Sequence, residues 1–90
     1  MDPKIKQSFD VNTGVLYVLR EGLVPIVCDH DQGDMDVILS LDDQNKVIGV
    51  TLLDADLLDR KNWLAHPSRR RLPEDIKKAV DRWVSTRVSE

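Results

Sequence analysis

The sequence predicts an α+β fold: an antiparallel β-meander of four or five strands, then a short helix and a C-terminal amphipathic helix. Three observations carry this reading. Met35, Val37, Leu39 and Leu41 are apolar at every second place, the period of a strand with one buried face. Val47 to Leu53 is apolar and β-branched, and the turn formers Asp42 to Lys46 separate it from the first run, so the two pair as a hairpin. Ile76, Ala79, Val80, Trp83 and Val84 recur at helical spacing near the end of the chain.

The hairpin is the centre of the fold. Asn45 is the turn residue best able to take a positive φ, which predicts a three-residue loop with Asn45 left-handed. That register sets Asp42 opposite Lys46, Leu41 opposite Val47 and Leu39 opposite Gly49. The second face carries Ile38, Ile48, Val50 and Leu52, so both faces are expected to be covered, one by a helix and the other by a second layer or subunit.

Before the hairpin, Ile5 to Phe9 reads as a first strand and Asp10 to Gly14 as a turn, with Gly14 free to be left-handed. Val15 to Leu19 is apolar on both faces and belongs in the middle of the sheet. Arg20-Glu21-Gly22 turns the chain. Val24 to Cys28 is a weaker strand, which Pro25 confines to an edge or a strand start. The acidic run from Asp29 to Asp34, extended by Asp36, reads as a solvated turn. Its glycine comes one place early for a calcium loop, and Ser40 stands where a bidentate Glu is needed.

After the hairpin, Asp54 is a candidate N-cap for a helix over 55–64, with Leu57, Leu58 and Leu64 covering the sheet beside Trp63. His66-Pro67 ends that helix, and Ser68 to Arg71 is a basic linker. Pro73, Glu74 and Asp75 suit the first turn of a final helix over 73–88, with Arg87 and Val88 near its end.

Ninety residues make one domain, 1–90, with the sheet over 5–53. A core of this size is modest, so self-association, as a homodimer, is an expected source of further stability. No apolar run reaches the length of a membrane span and no signal-peptide pattern is present, which predicts a cytoplasmic protein with no membrane partner. The single Cys28 has no internal disulfide partner. Charge is divided along the chain. Residues 1–59 hold four basic and twelve acidic side chains, net −8, and residues 60–90 hold nine basic and four acidic ones, net +5.

Phe9-Asp10, Leu16-Tyr17-Val18, Leu39-Ser40-Leu41-Asp42 and Gly49-Val50-Thr51-Leu52-Leu53-Asp54-Ala55 resemble the strand and hairpin motifs of domain-of-unknown-function family 2283, small bacterial and phage domains. The resemblance covers residues 5–55. It departs from the pattern at Thr13-Gly14 and Asn45, and residues 60–90 lie outside it. It implies a β-rich fold and an antitoxin-like or phage-type inhibitor role.

No nucleophile, base and oxyanion donors are grouped in the sequence, which predicts a protein that is not an enzyme and needs no cofactor or metal. The expected role is a small protein-interaction or regulatory protein. Its partner surface is assigned to Trp63, Arg69, Arg70, Arg71, Lys78, Arg82 and Trp83, because Trp and Arg are the residues interfaces favour. The alternative is nucleic-acid binding by the same basic C-terminal region.

Overall fold

The computed structural model describes residues 4–31 and 34–88. It contains strands β1 (Ile5–Asp10), β2 (Val15–Arg20), β3 (Val27–Asp31), β4 (Asp34–Leu41) and β5 (Val47–Leu52), then helices α1 (Arg60–Leu64) and α2 (Glu74–Val88). All strand pairs are antiparallel, in the order β1-β2-β5-β4-β3. The α+β expectation holds, but the sheet is not one continuous meander. After β2 the chain passes to the far edge, and β3, β4 and β5 return to pair with β2.

The third strand begins later than the sequence suggests. Pro25 cannot donate to a ladder, so pairing starts only with the Ile26 N–H, which donates to the Leu41 carbonyl at 2.9 Å. Asp29, His30 and Asp31, expected in a turn, therefore lie in an edge strand, where the Asp29 and His30 side chains are exposed to water. Gln32 and Gly33 of the expected turn lie outside the described residues, as do the side chains of Met35, Arg87 and Val88.

The central hairpin has the expected turn. Asn45 is left-handed, at φ 61°. The Asp42 carboxylate accepts from the N–H groups of Gln44 and Lys46 at 2.8 and 2.9 Å. Leu41 faces Val47, but a bulge then shifts the register, so Leu39 faces Val50 and Gly49 faces Ser40.

One face of the sheet builds the core. Leu16, Val18, Val37, Leu39, Val50 and Leu52 point to it and are at most 3% exposed. Ile76, Val80 and Val84, one face of α2, pack on them with Trp63 and Leu72. Arg20 at the end of β2 holds the start of α2 through the Asp75 carboxylate, at 2.8 and 3.0 Å.

The expected helix over 55–64 is broken in two. The Ala55 N–H donates to the Gly14 carbonyl at 2.7 Å, which ties the chain back to the β1–β2 turn. Asp54 is left-handed there (φ 54°) and caps nothing. A 3-10 helix follows at Ala55–Leu57, and Asp59 is the residue that caps α1, accepting from Asn62 N–H at 2.7 Å. Leu57 and Leu64 are consequently exposed rather than laid on the sheet, and Trp63 takes the buried position. The basic linker is itself a 3-10 helix, Pro67–Arg71.

Candidate functional site

The residues assigned to a partner surface divide into three groups. Trp63 is 1% exposed, and its indole N–H donates to Asp81 at 2.6 Å. Arg69 lies beside it and grips the same carboxylate with two donors, at 3.0 and 2.7 Å. This arrangement lowers the Asp81 pKa, first through the hydrogen bonds from Arg69 and further through that from Trp63, against the opposing effect of burial. Trp63 and Arg69 are thus tied up inside the molecule. Trp83 is half-buried, its ring tilted on Phe9 of β1 with centroids 5.0 Å apart. Only Arg70, Arg71, Lys78 and Arg82 are exposed as a basic surface, on the linker turn and the outer side of α2.

The other face of the sheet was expected to be covered too, and it lies opposite the core packed by α2. Strand alternation opposite the core residues places Val15, Tyr17, Leu19, Ile38 and Thr51 on it. The register sets them in rows across the strands. One row runs Ser8, Tyr17, Thr51, Ile38, His30, and the next runs Lys6, Leu19, Gly49, Ser40, Cys28. Tyr17 is 48% exposed at the middle of the first row. Thr51, Gly49 and Ser40 are small, so the middle of the face is a shallow trough between Tyr17 with Leu19 and Ile38 with His30. The sequence alone places Ile38, Ile48, Val50 and Leu52 on this second face; Ile38 lies here, but the bulge moves Val50 and Leu52 onto the core face opposite Leu39 and Val37, so the face differs from the one expected.

A cleft opens at the end of the sheet, where β5 finishes and β4 begins. Its volume is about 310 Å³, and it is lined by Val37, Leu52, Leu53, Leu57, Leu58 and Trp63, with Asp36, Asp54 and His66. No group of acidic, His or Cys side chains among the described residues has the arrangement of a metal site. No helix among them is long and apolar enough to cross a membrane.

No family model, curated protein or solved structure matches this chain.

Proposed function

We propose that this protein is a non-enzymatic interaction module, and that the uncovered sheet face is where it docks on a second copy of itself. The observation that carries the reading is that face: Tyr17, Leu19, Val15 and Ile38 lie on the side of a five-stranded sheet opposite the core packed by α2, and Tyr17 at its middle is 48% exposed. A sheet in water normally buries at least one apolar face and fills the other with polar residues. Here the second face has apolar residues at its centre and polar or charged ones, Lys6, Ser8, Asp10 and His30, toward its edges, the core-and-rim pattern of an interface.

The register favours a particular dimer. A two-fold axis along the Ser8–Tyr17–Thr51–Ile38–His30 row stacks Tyr17 on Tyr17 of the second copy and Leu19 near Val15. It also brings Lys6 of each copy toward Asp10 of the other, since these two flank Ser8 at equal spacing on the same face of β1. Opposite charges then meet at the rim, where they guide association. An antitoxin-like or inhibitory role would make this homodimer a regulator of another protein, and the strand motifs of residues 5–55 are what support that part.

Light scattering over micromolar concentrations tests the reading. The proposal requires twice the chain mass, and Tyr17→Glu should return the protein to a monomer that keeps its secondary structure. A monomer mass at every concentration would overturn it. Nucleic-acid binding is the second reading, supported by the exposure of Arg70, Arg71, Lys78 and Arg82.

A further inference from the structure

We infer that the outer edge of β3 is a docking site for an extended basic peptide, which joins the five-stranded sheet there as one more strand. β3 stands at one end of the order β1-β2-β5-β4-β3, so among the described residues no strand pairs with its outer side. An edge strand presents a row of backbone N–H and C=O groups that an added strand can pair with. The open stretch runs from Ile26, just past Pro25, to His30, where the register against β4 shifts. A stretch of that length is enough for a strand pair. The site lies in the plane of the sheet rather than on its face. It therefore goes beyond the dimer proposed above, and either can fail without the other.

The two edges of the sheet meet water differently. On β1, Lys6 is exposed, as is Lys4 just before it, and lysine at an edge discourages pairing. The β3 edge has the opposite character. Val24 and Ile26 are 77% and 66% exposed, and Leu23 and Val27 are exposed beside them in the chain. Apolar residues grouped in this way mark a contact surface. Charge then selects the partner. Between Arg20 and Lys46 the chain has seven acidic side chains and no Lys or Arg. Asp29, within the open stretch, is exposed. Its carboxylate accepts the His30 N–H at 2.8 Å, and a carboxylate has lone pairs enough for an ammonium besides. A partner strand with Lys or Arg answers Asp29 across the ladder, while β-branched residues in alternation cover Ile26 and Val27. A second copy is a poorer occupant. Pairing β3 with β3 brings like charges together, and pairing it with β1 of another copy is a head-to-tail contact that does not close.

Amide-proton NMR titration of the folded protein with end-blocked heptapeptides Lys-X-Lys-X-Lys-X-Lys, where X is Val, Ile or Thr, is the test. The lysine peptides should give saturable shifts centred on the amides of Ile26 to His30. Counterparts with Glu for Lys should bind about tenfold more weakly or not at all. Asp29→Lys, at an exposed position, should weaken the lysine peptides several-fold. Ile26→Ser should also weaken them but leave the preference for Lys over Glu. Full N-methylation keeps the peptide's charge and side chains, removes its N–H donors and should abolish binding. Absence of saturable shifts with every lysine peptide, equal binding of the Glu peptides, N-methylated peptides as tight as their parents, or an Asp29→Lys protein that binds as the original does would each overturn the assignment. Assemblies larger than a dimer, formed by the protein alone and dissolved by Asp29→Lys, would give the edge to a second copy and overturn it as well.

Discussion

Leu19 lies across Gly49 on the uncovered face of the sheet. The two are cross-strand partners, and a Cβ on Gly49 would sit 2.7 Å from Leu19 Cδ1 and 2.7 Å from the Val18 carbonyl oxygen. Glycine is needed here for close approach of side chain and backbone, not for a turn. Gly49→Ala should cost about 1–3 kcal/mol in urea unfolding, the scale of an overpacked site. Adding Leu19→Ala should recover only part of that loss, because the Val18 carbonyl stays where it is. Full recovery would mean that the side chain alone sets the limit.

Asp81 serves two partners at once, and its removal should show it. Asp81→Ala leaves the Trp63 indole N–H buried without an acceptor and Arg69 without its carboxylate. A loss of about 1–3 kcal/mol is expected for the unsatisfied donor, with a smaller one for the ion pair. Asp81→Asn keeps an oxygen for Trp63 and should cost less than Asp81→Ala. Equal losses in the two variants would place the whole effect on the Arg69 pair.

The two ion pairs that fasten α2 also set an acid limit. The Asp75 and Asp81 carboxyls are held below the ordinary carboxylate value, Asp75 chiefly by hydrogen bonding from Arg20 and Asp81 chiefly by hydrogen bonding from Arg69. In the unfolded chain both regain their ordinary value and bind protons at higher pH than in the folded one. Their contribution is thus complete above the ordinary carboxylate range and is lost as pH falls through it toward the lower folded values. Denaturation midpoints should drop between about pH 5 and pH 3, and Asp75→Asn should flatten that drop. An unchanged acid slope in Asp75→Asn would remove this account of Asp75.

The basic residues separate by role. Arg69 is bound to Asp81, so Arg69→Ala should lower the melting temperature, while Arg70→Ala, at an exposed position, should leave it nearly unchanged. If the second reading holds, the Arg70, Arg71 double variant should reduce the salt slope of DNA or RNA binding by about two, near one per lost phosphate contact. No retention of the unaltered protein on nucleic acid at about 50 mM salt would eliminate that reading.

Much of this architecture is legible in the residues, and the gaps have physical causes. The left-handed Asn45 and Gly14, the internal position of β2 and the buried stripe of α2 follow from backbone preferences and periodicity, which are local. The bulge at Ile48 and the return of β5 to β2 depend on pairing between distant strands, which period-two alternation does not encode. Asp54 and Asp59 are both chemically fit to cap a helix. The contact that decides between them, Ala55 N–H to the Gly14 carbonyl, joins residues far apart in the chain. Trp63, Trp83 and Arg69 have an interface composition, but Asp81 and Phe9 turn them inward. Asp81 carried no signal of its own, because on helical spacing it falls on the polar side of α2.

The charge pair at the rim of the sheet face tests the central claim most directly. Lys6→Asp and Asp10→Lys, taken singly, each set like charges against each other across the proposed two-fold axis, and both residues lie on edge strand β1 outside the core. Sedimentation equilibrium at low salt should show each single variant with a weakened dimer and the double swap with the dimer restored. A dimer indifferent to all three variants would contradict this axis, and a monomeric unaltered protein would contradict the use of the face altogether.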